Sequence, residues 1–155
     1  MGYKKIILSI GLILIGFFAM GQKTNDLEVI IKNIELIEGD LYLTLTADSS
    51  LFPMGEVEEK YRKVLKVTKS QMSAVFSDVP DGFYAMAIFQ DLNHNQELDK
   101  KKFGIPAEPF AFSNGALRKF SPPFFEQAKF KISGGQVHQQ ELILINKKPK
   151  KKDQN

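Results

Sequence analysis

The sequence has no cysteine and no tryptophan. The first absence excludes disulfides and a lipid-modified N-terminal cysteine. Stability must then come from the core, or from a bound metal. The second removes the indole rings on which sugars most often stack. Histidine is scarce too: only His94 and His138 are present, without metal-ligand spacing. Lone histidines of this kind belong to solvent or to packing.

An excess of one charge is also missing. Removing residues 1–21 takes Lys4 and Lys5 from the 21 basic residues, which leaves 19 against 18 acids. Five of those lysines sit in the tail "KKPKKKDQN", residues 147–155. The body is slightly acidic, so the footprint of a nucleic-acid binder is absent. The tail reads as a disordered, self-repelling end whose plainest role is solubility.

Long apolar runs are limited to one. Residues 6–20, "IILSIGLILIGFFAM", follow Lys4 and Lys5 and end near Ala19 and Gly21. That is the basic, apolar, small-residue order of a secretory signal, with cleavage expected after Gly21. A spanning helix needs about 20 apolar residues, and this run is shorter. The expected organisation is a signal peptide over 1–21, one domain over 22–146 and the tail. The expected address is the periplasm or the cell exterior. About 125 residues remain for the domain, enough for a single core.

What is present reads as β. Leu27, Val29 and Ile31 alternate, as do Leu41, Leu43 and Leu45, the pattern of half-buried strands. Glu38-Gly39-Asp40 lies between them, so the pair reads as a hairpin. Residues 51–63 lean towards helix. Met72, Ala74 and Phe76 alternate again, and Val79-Pro80-Asp81-Gly82 is a turn. Residues 83–90, "FYAMAIFQ", read as a central strand. Residues 128–132 and 137–145 read as a last pair around Ser133-Gly134-Gly135. The expected fold is an all-β, antiparallel, immunoglobulin-like or prealbumin-like sandwich of about seven strands with one long inserted loop.

That loop, residues 91–125, has little period-two signal, and loops of such length are usually functional. It carries Phe103, Phe110, Phe112, Phe120, Phe124 and Phe125 with four prolines. These rings must fold back over the sandwich or form a partner surface. At its start, "DLNHNQELD" puts Asp91, Asn93, Asn95 and Asp99 at positions one, three, five and nine of a calcium-type loop. The backbone carbonyl of Glu97 would be a fifth ligand, and Glu108, folding back, a sixth. With so few carboxylates the expected affinity is weak, ~10⁻⁴ to 10⁻³ M. The alternative is an ion-free array of Asx turns, in which Asp and Asn side chains cap their own backbone.

The string "VPDGFYAMAIFQDLNHNQELDKKKFGIPAEPFAFSN", followed by "PPFFEQAKFKI", resembles a bacterial secreted family known as domain of unknown function 2141. The shared elements are P-x-G-x-Y-A-x-A, D-x-N-x-N-x-x-L-D, G-I-P-x-E, F-S-N and P-P-x-F-x-x-A. The resemblance implies an exported β-sandwich and supplies no reaction. Relatives carry glycine where this chain has His94 and Gln96, positions where a calcium-type loop turns sharply. Position twelve is Lys102 rather than a bidentate Glu. Both departures weaken the calcium reading.

Catalytic signals are thin. Ser113-Asn114-Gly115 lacks the strand-to-helix elbow of a nucleophile and reads as a turn. Three readings remain. The first is a non-enzymatic exported module, a monomer, that meets an envelope or extracellular partner through the loop. The second is a carbohydrate-binding module, which exposed coplanar rings would favour. The third is an envelope-polymer hydrolase using Asp91, Asp99 or Glu108, which a cleft with a buried carboxylate pair would favour.

Overall fold

The computed structural model describes residues 24–119 and 121–146. The expected signal peptide and lysine tail therefore lie outside the described residues, as does Phe120. Eight strands form two sheets: β1 (Thr24–Lys32), β2 (Asp40–Thr46), β3 (Arg62–Lys66), β4 (Met72–Pro80), β5 (Gly82–Asp91), β6 (Phe110–Phe112), β7 (Phe130–Ile132) and β8 (Val137–Ile143). One sheet runs β4-β1-β8 and the other β3-β2-β5-β6, with β7 also on β5. Among the described residues, no helix is long and apolar enough to cross a membrane.

The alternation in the sequence becomes the sandwich interior. Leu27, Val29 and Ile31 face inward from β1, and Leu41, Leu43 and Leu45 from β2. Phe76, Met86, Ile88 and Leu142 complete the layer between the sheets. Burying each such side chain contributes about 1.5–3 kcal/mol.

Several expected pairings differ. The strands flanking Gly39 do not form a hairpin, because β1 and β2 belong to different sheets. Residues 33–39 form an arch over the sandwich end, held by Gln90, whose Nε2 donates to the carbonyls of Leu36 (2.8 Å) and Glu38 (2.7 Å). The last two strands do not pair with each other either: β7 joins β5 and β8 joins β1. The β1–β8 ladder is parallel, whereas the others are antiparallel. Helical leaning in residues 51–63 amounts to a 3₁₀ turn at Glu59–Tyr61 before β3.

Strand β5 is central, as its apolar run predicts, and it is covered on both faces. Ala85 and Ala87 point away from the main core. Their small side chains leave room for rings, and Phe110, Phe112, Phe52 and Phe125 fill it. Phe52 meets Phe112 and Phe125 edge-on, with centroids 5.8 and 6.1 Å apart, the arrangement that ring quadrupoles favour. Part of the Phe-rich segment is thus a second, smaller core. Residues 91–125 are not structureless, since β6 and two 3₁₀ turns lie within them.

The β4–β5 turn is locked by Tyr84, whose hydroxyl donates to the Pro80 carbonyl at 3.1 Å. Sandwiches with tyrosine corners use a similar device. Burial, then the neighbouring Tyr61 and Asp81, push the Tyr84 phenol up to about 12. The unfolded chain loses this proton near pH 10, while the folded chain keeps it. Stability from this group is therefore complete below pH 10 and is lost as the pH rises towards 12. Urea midpoints measured from pH 8 to 11.5 should fall, and Tyr84→Phe should flatten that fall. An unchanged alkaline slope in the variant would contradict the assignment.

Candidate functional site

The loop after β5 is built around two buried carboxylates. Asp91 is fully buried, and Glu108 is 4% exposed. Asp91 accepts from the backbone N–H of Asn95 (3.2 Å) and of Gln96 (2.7 Å). Glu108 folds back as the sequence suggested, and its oxygens accept from the N–H groups of Leu92 (2.8 Å) and Asp99 (3.1 Å). Each carboxylate oxygen thus meets a backbone donor, the strong charge-assisted kind of hydrogen bond.

The Asn side chains repeat the theme. Asn93 Oδ1 accepts from Asn95 N–H, and Asn95 Oδ1 accepts from Glu97 N–H. These are Asx turns. Both amides also donate to the Asp99 carboxylate, at 2.7 and 3.1 Å. The structure therefore brings Asp91, Asn93, Asn95, Asp99 and Glu108 into one network, with Glu97 taking part through its N–H. Among the described residues, no group of three or more His, Asp or Glu side chains is placed to hold a metal ion. His94 leaves this network and contacts Asp40 at 3.0 Å, while His138 contacts the backbone of Ser133.

The glycine departures have a backbone consequence. His94 has φ 60° and Gln96 φ 65°, the left-handed region that costs an L side chain about 1–2 kcal/mol. Gln96→Gly should raise stability by about 0.5–1 kcal/mol once the greater freedom of glycine in the unfolded chain is counted. A urea midpoint that rises without a change in slope would report it. A lower midpoint would mean the Gln96 side chain contributes more than its backbone strain costs.

Beyond Asp99 the chain forms a tongue. Ala107 N–H donates to Asp99 O and Lys101 N–H to Ile105 O, with a β-bridge between Lys100 and Pro106. At its tip Phe103 is 87% exposed. The tongue, the 51–55 loop and residues 117–119 and 121–123 enclose a groove of about 450 Å³. Its walls are mainly apolar and include Met54, Leu98, Ile105, Phe110 and Leu117. Among the described residues, three cations, Lys100, Arg118 and Lys119, line it, and no acidic side chain does. Past Lys100 it meets a second hollow of about 340 Å³, floored by Tyr42, Thr44 and Phe89 of the β2/β5 face.

Neither buried carboxylate lines the groove or the hollow. Ser113 is fully buried; its Oγ accepts from Met86 N–H at 2.9 Å and donates to Ala128 O at 2.6 Å. Of the groove residues, Phe110 and Phe112 are among the loop rings that the sequence singles out, whereas Met54, Leu98, Lys100, Leu117 and Arg118 are not. The signal for them was "LFPM", residues 51–54, an apolar cluster where a polar loop would be ordinary.

A family model described as "Uncharacterized protein conserved in bacteria (DUF2141)" matches residues 29–140. No curated protein and no solved structure matches the chain.

Proposed function

The chain belongs to the bacterial family DUF2141, and from that premise we propose that it is an exported, non-enzymatic binding module whose ligand sits in the groove beside the tongue. The observation that carries this reading is a division of labour. Of the carboxylates that a hydrolase would use, Asp91 and Glu108 are buried and hydrogen-bonded to backbone N–H groups, and Asp99 accepts from the amides of Asn93 and Asn95. The open groove beside them is apolar, within the usual size of a ligand site. Export rests on the basic, apolar and small-residue order of residues 1–21. The carbohydrate reading has less support. Tyr42 and Phe89 are stacked on each other, with centroids 5.0 Å apart and an interplanar angle of 8°, so each spends a face on its partner.

A neutral naphthylamine dye that brightens in apolar surroundings tests the reading. It should bind the protein, and Leu117→Asp should abolish the signal. Leu117 is 54% exposed, so this substitution leaves the core alone. A dye signal unchanged in that variant would place binding elsewhere and overturn the proposal.

A second reading concerns calcium. Asn93 and Asn95 converge on Asp99, and carboxylate oxygens accept more than one partner. Calcium would then brace the loop, held by Asp91, Asn93, Asn95, Asp99, the Glu97 carbonyl and Glu108. Thermal unfolding in EDTA and in millimolar calcium decides it, because a ligand of the folded state alone must raise the midpoint. A rise that Asp99→Ala removes supports the ion; equal midpoints leave the hydrogen-bonded brace by itself.

A further inference from the structure

We infer that the groove takes a free acyl-chain carboxylate, with the chain along the apolar walls and the carboxylate against Lys100 and Arg118. This rests on the groove being the binding site proposed above. The first argument is charge. Apolar walls alone would accept any greasy group, but Lys100, Arg118 and Lys119 line this groove without one acidic side chain among the described residues. Among the described residues, neither Lys100 nor Arg118 is in an ion pair.

The second argument is positioning. The Arg118 guanidinium lies 3.9 Å from the centroid of the Phe124 ring. A stacked guanidinium gives up little rotational freedom when it binds, and its fork matches a carboxylate. Phe124 is itself exposed. Its ring therefore serves as a support for Arg118 at the groove, a role that the main core does not require.

The third is shape. The groove adjoins the second hollow, with which it shares Pro53, Met54, Leu98 and Lys100 and whose own lining adds Arg62 and Glu97. An unbranched chain can run along such a trough. The lysine tail of residues 147–155 is a poor occupant, since its five lysines would meet the same sign of charge.

Calorimetry on protein expressed as the full chain tests the inference. Octanoate, decanoate, dodecanoate, dodecanol and dodecyltrimethylammonium are titrated below their micellar concentrations. The carboxylates should bind, and affinity should rise about fourfold per added methylene. The alcohol and the cation should bind at least about tenfold more weakly than dodecanoate. Lys100→Glu with Arg118→Glu should cost the carboxylate about tenfold or more, while the affinity for dodecanol falls by less. Equal binding of dodecanoate and dodecanol would overturn the ligand class while the groove reading stands. Failure of the dye and every amphiphile would overturn both. A dimer in sedimentation that Leu117→Asp dissolves, without carboxylate binding, would assign the groove to a second copy and overturn the inference.

Discussion

Replacing Glu108 with alanine should destabilise the protein by about 3–4 kcal/mol, from the loss of two charge-assisted hydrogen bonds. Glu108 is buried, and its two oxygens serve the N–H groups of Leu92 and Asp99. Without it both donors are left without an acceptor inside the loop. A loss of that size is a large share of a typical folding free energy of about 5–15 kcal/mol. It should lower the melting temperature by roughly 10 °C or more. Glutamine does not repair the site. Its amide offers one oxygen where the loop presents two donors, so an NH₂ must face an N–H. Glu108→Gln should therefore keep no more than about half of the stability lost in the alanine variant. Asp99→Ala should cost less, about 1 kcal/mol, because its carboxylate accepts only from the side chains of Asn93 and Asn95 in a looser setting. The order Glu108 above Asp99 is the decisive outcome. Equal losses in EDTA would mean that the network, rather than the buried brace, carries the stability. The brace also ties residues 92–99 to the tongue, so the folded fraction of Glu108→Ala should bind the groove dye more weakly.

The strands were legible because period-two alternation names both a strand and its buried face. Leu27, Val29 and Ile31 point inward as the alternation predicts. Alternation does not name the partner. Glu38-Gly39-Asp40 has the composition of a hairpin turn, yet the chain there crosses between sheets. The parallel pairing of β1 with β8 joins segments from opposite ends of the domain, and no local signal reports it. Strand β3 was hidden because "YRKVLK" lies on an exposed edge, where only every second residue is even half-buried. The second core had a signal that went unread. Ala85 and Ala87 sit on one face of an otherwise bulky strand, and small residues there ask for rings from elsewhere. The carboxylate loop was half legible. Its spacing gave the residues that meet, and Glu108 does return to them, but the sequence could not say whether N–H groups or an ion would take the oxygens.

The motif string that marks the family turns out to be the frame of the 91–125 segment. Pro80 and Tyr84 lock the turn before β5. Ala85 and Ala87 make space for the rings. Asp91 and Glu108 brace the loop, and Ser113 ties β5 to Ala128, just before β7. Pro123 and Ala128 are buried. Tyr84, Asp91, Glu108 and Ser113 thus have structural tasks away from the groove, whereas the motif residues Leu98, Ile105, Pro106, Phe112 and Pro122 line it. Met54, Lys100, Leu117 and Arg118 complete the lining from outside the motifs.

Gly39→Ala should be the most damaging single methyl in the protein. A Cβ at this position would lie 2.1 Å from the carbonyl oxygen of Asp91 and 3.1 Å from the Cα of Leu92. Both are backbone atoms, so no rotamer change relieves the contact. Residue 39 also has φ +72°, which adds about 1–2 kcal/mol for any L side chain. Displacing backbone in a packed region adds typically 1–3 kcal/mol and occasionally more. The expected total is about 4 kcal/mol or above, near the whole stability of a domain at the weak end of the usual range. The damage has a definite place. Asp40 pairs with Asp91 at the end of the β2–β5 ladder, and the Gly39 carbonyl accepts from Val67 N–H at 3.0 Å. A shift there opens β2, β3 and β5 at the point from which the braced loop departs. Gly104→Ala is the control. It has φ +69° with nothing within 4 Å of a built Cβ, so it should cost only the conformational part, about 1–2 kcal/mol. Denaturant melts of the two variants separate steric from torsional loss. If both cost the same, the close approach of the arch to Asp91 is not what requires glycine at position 39.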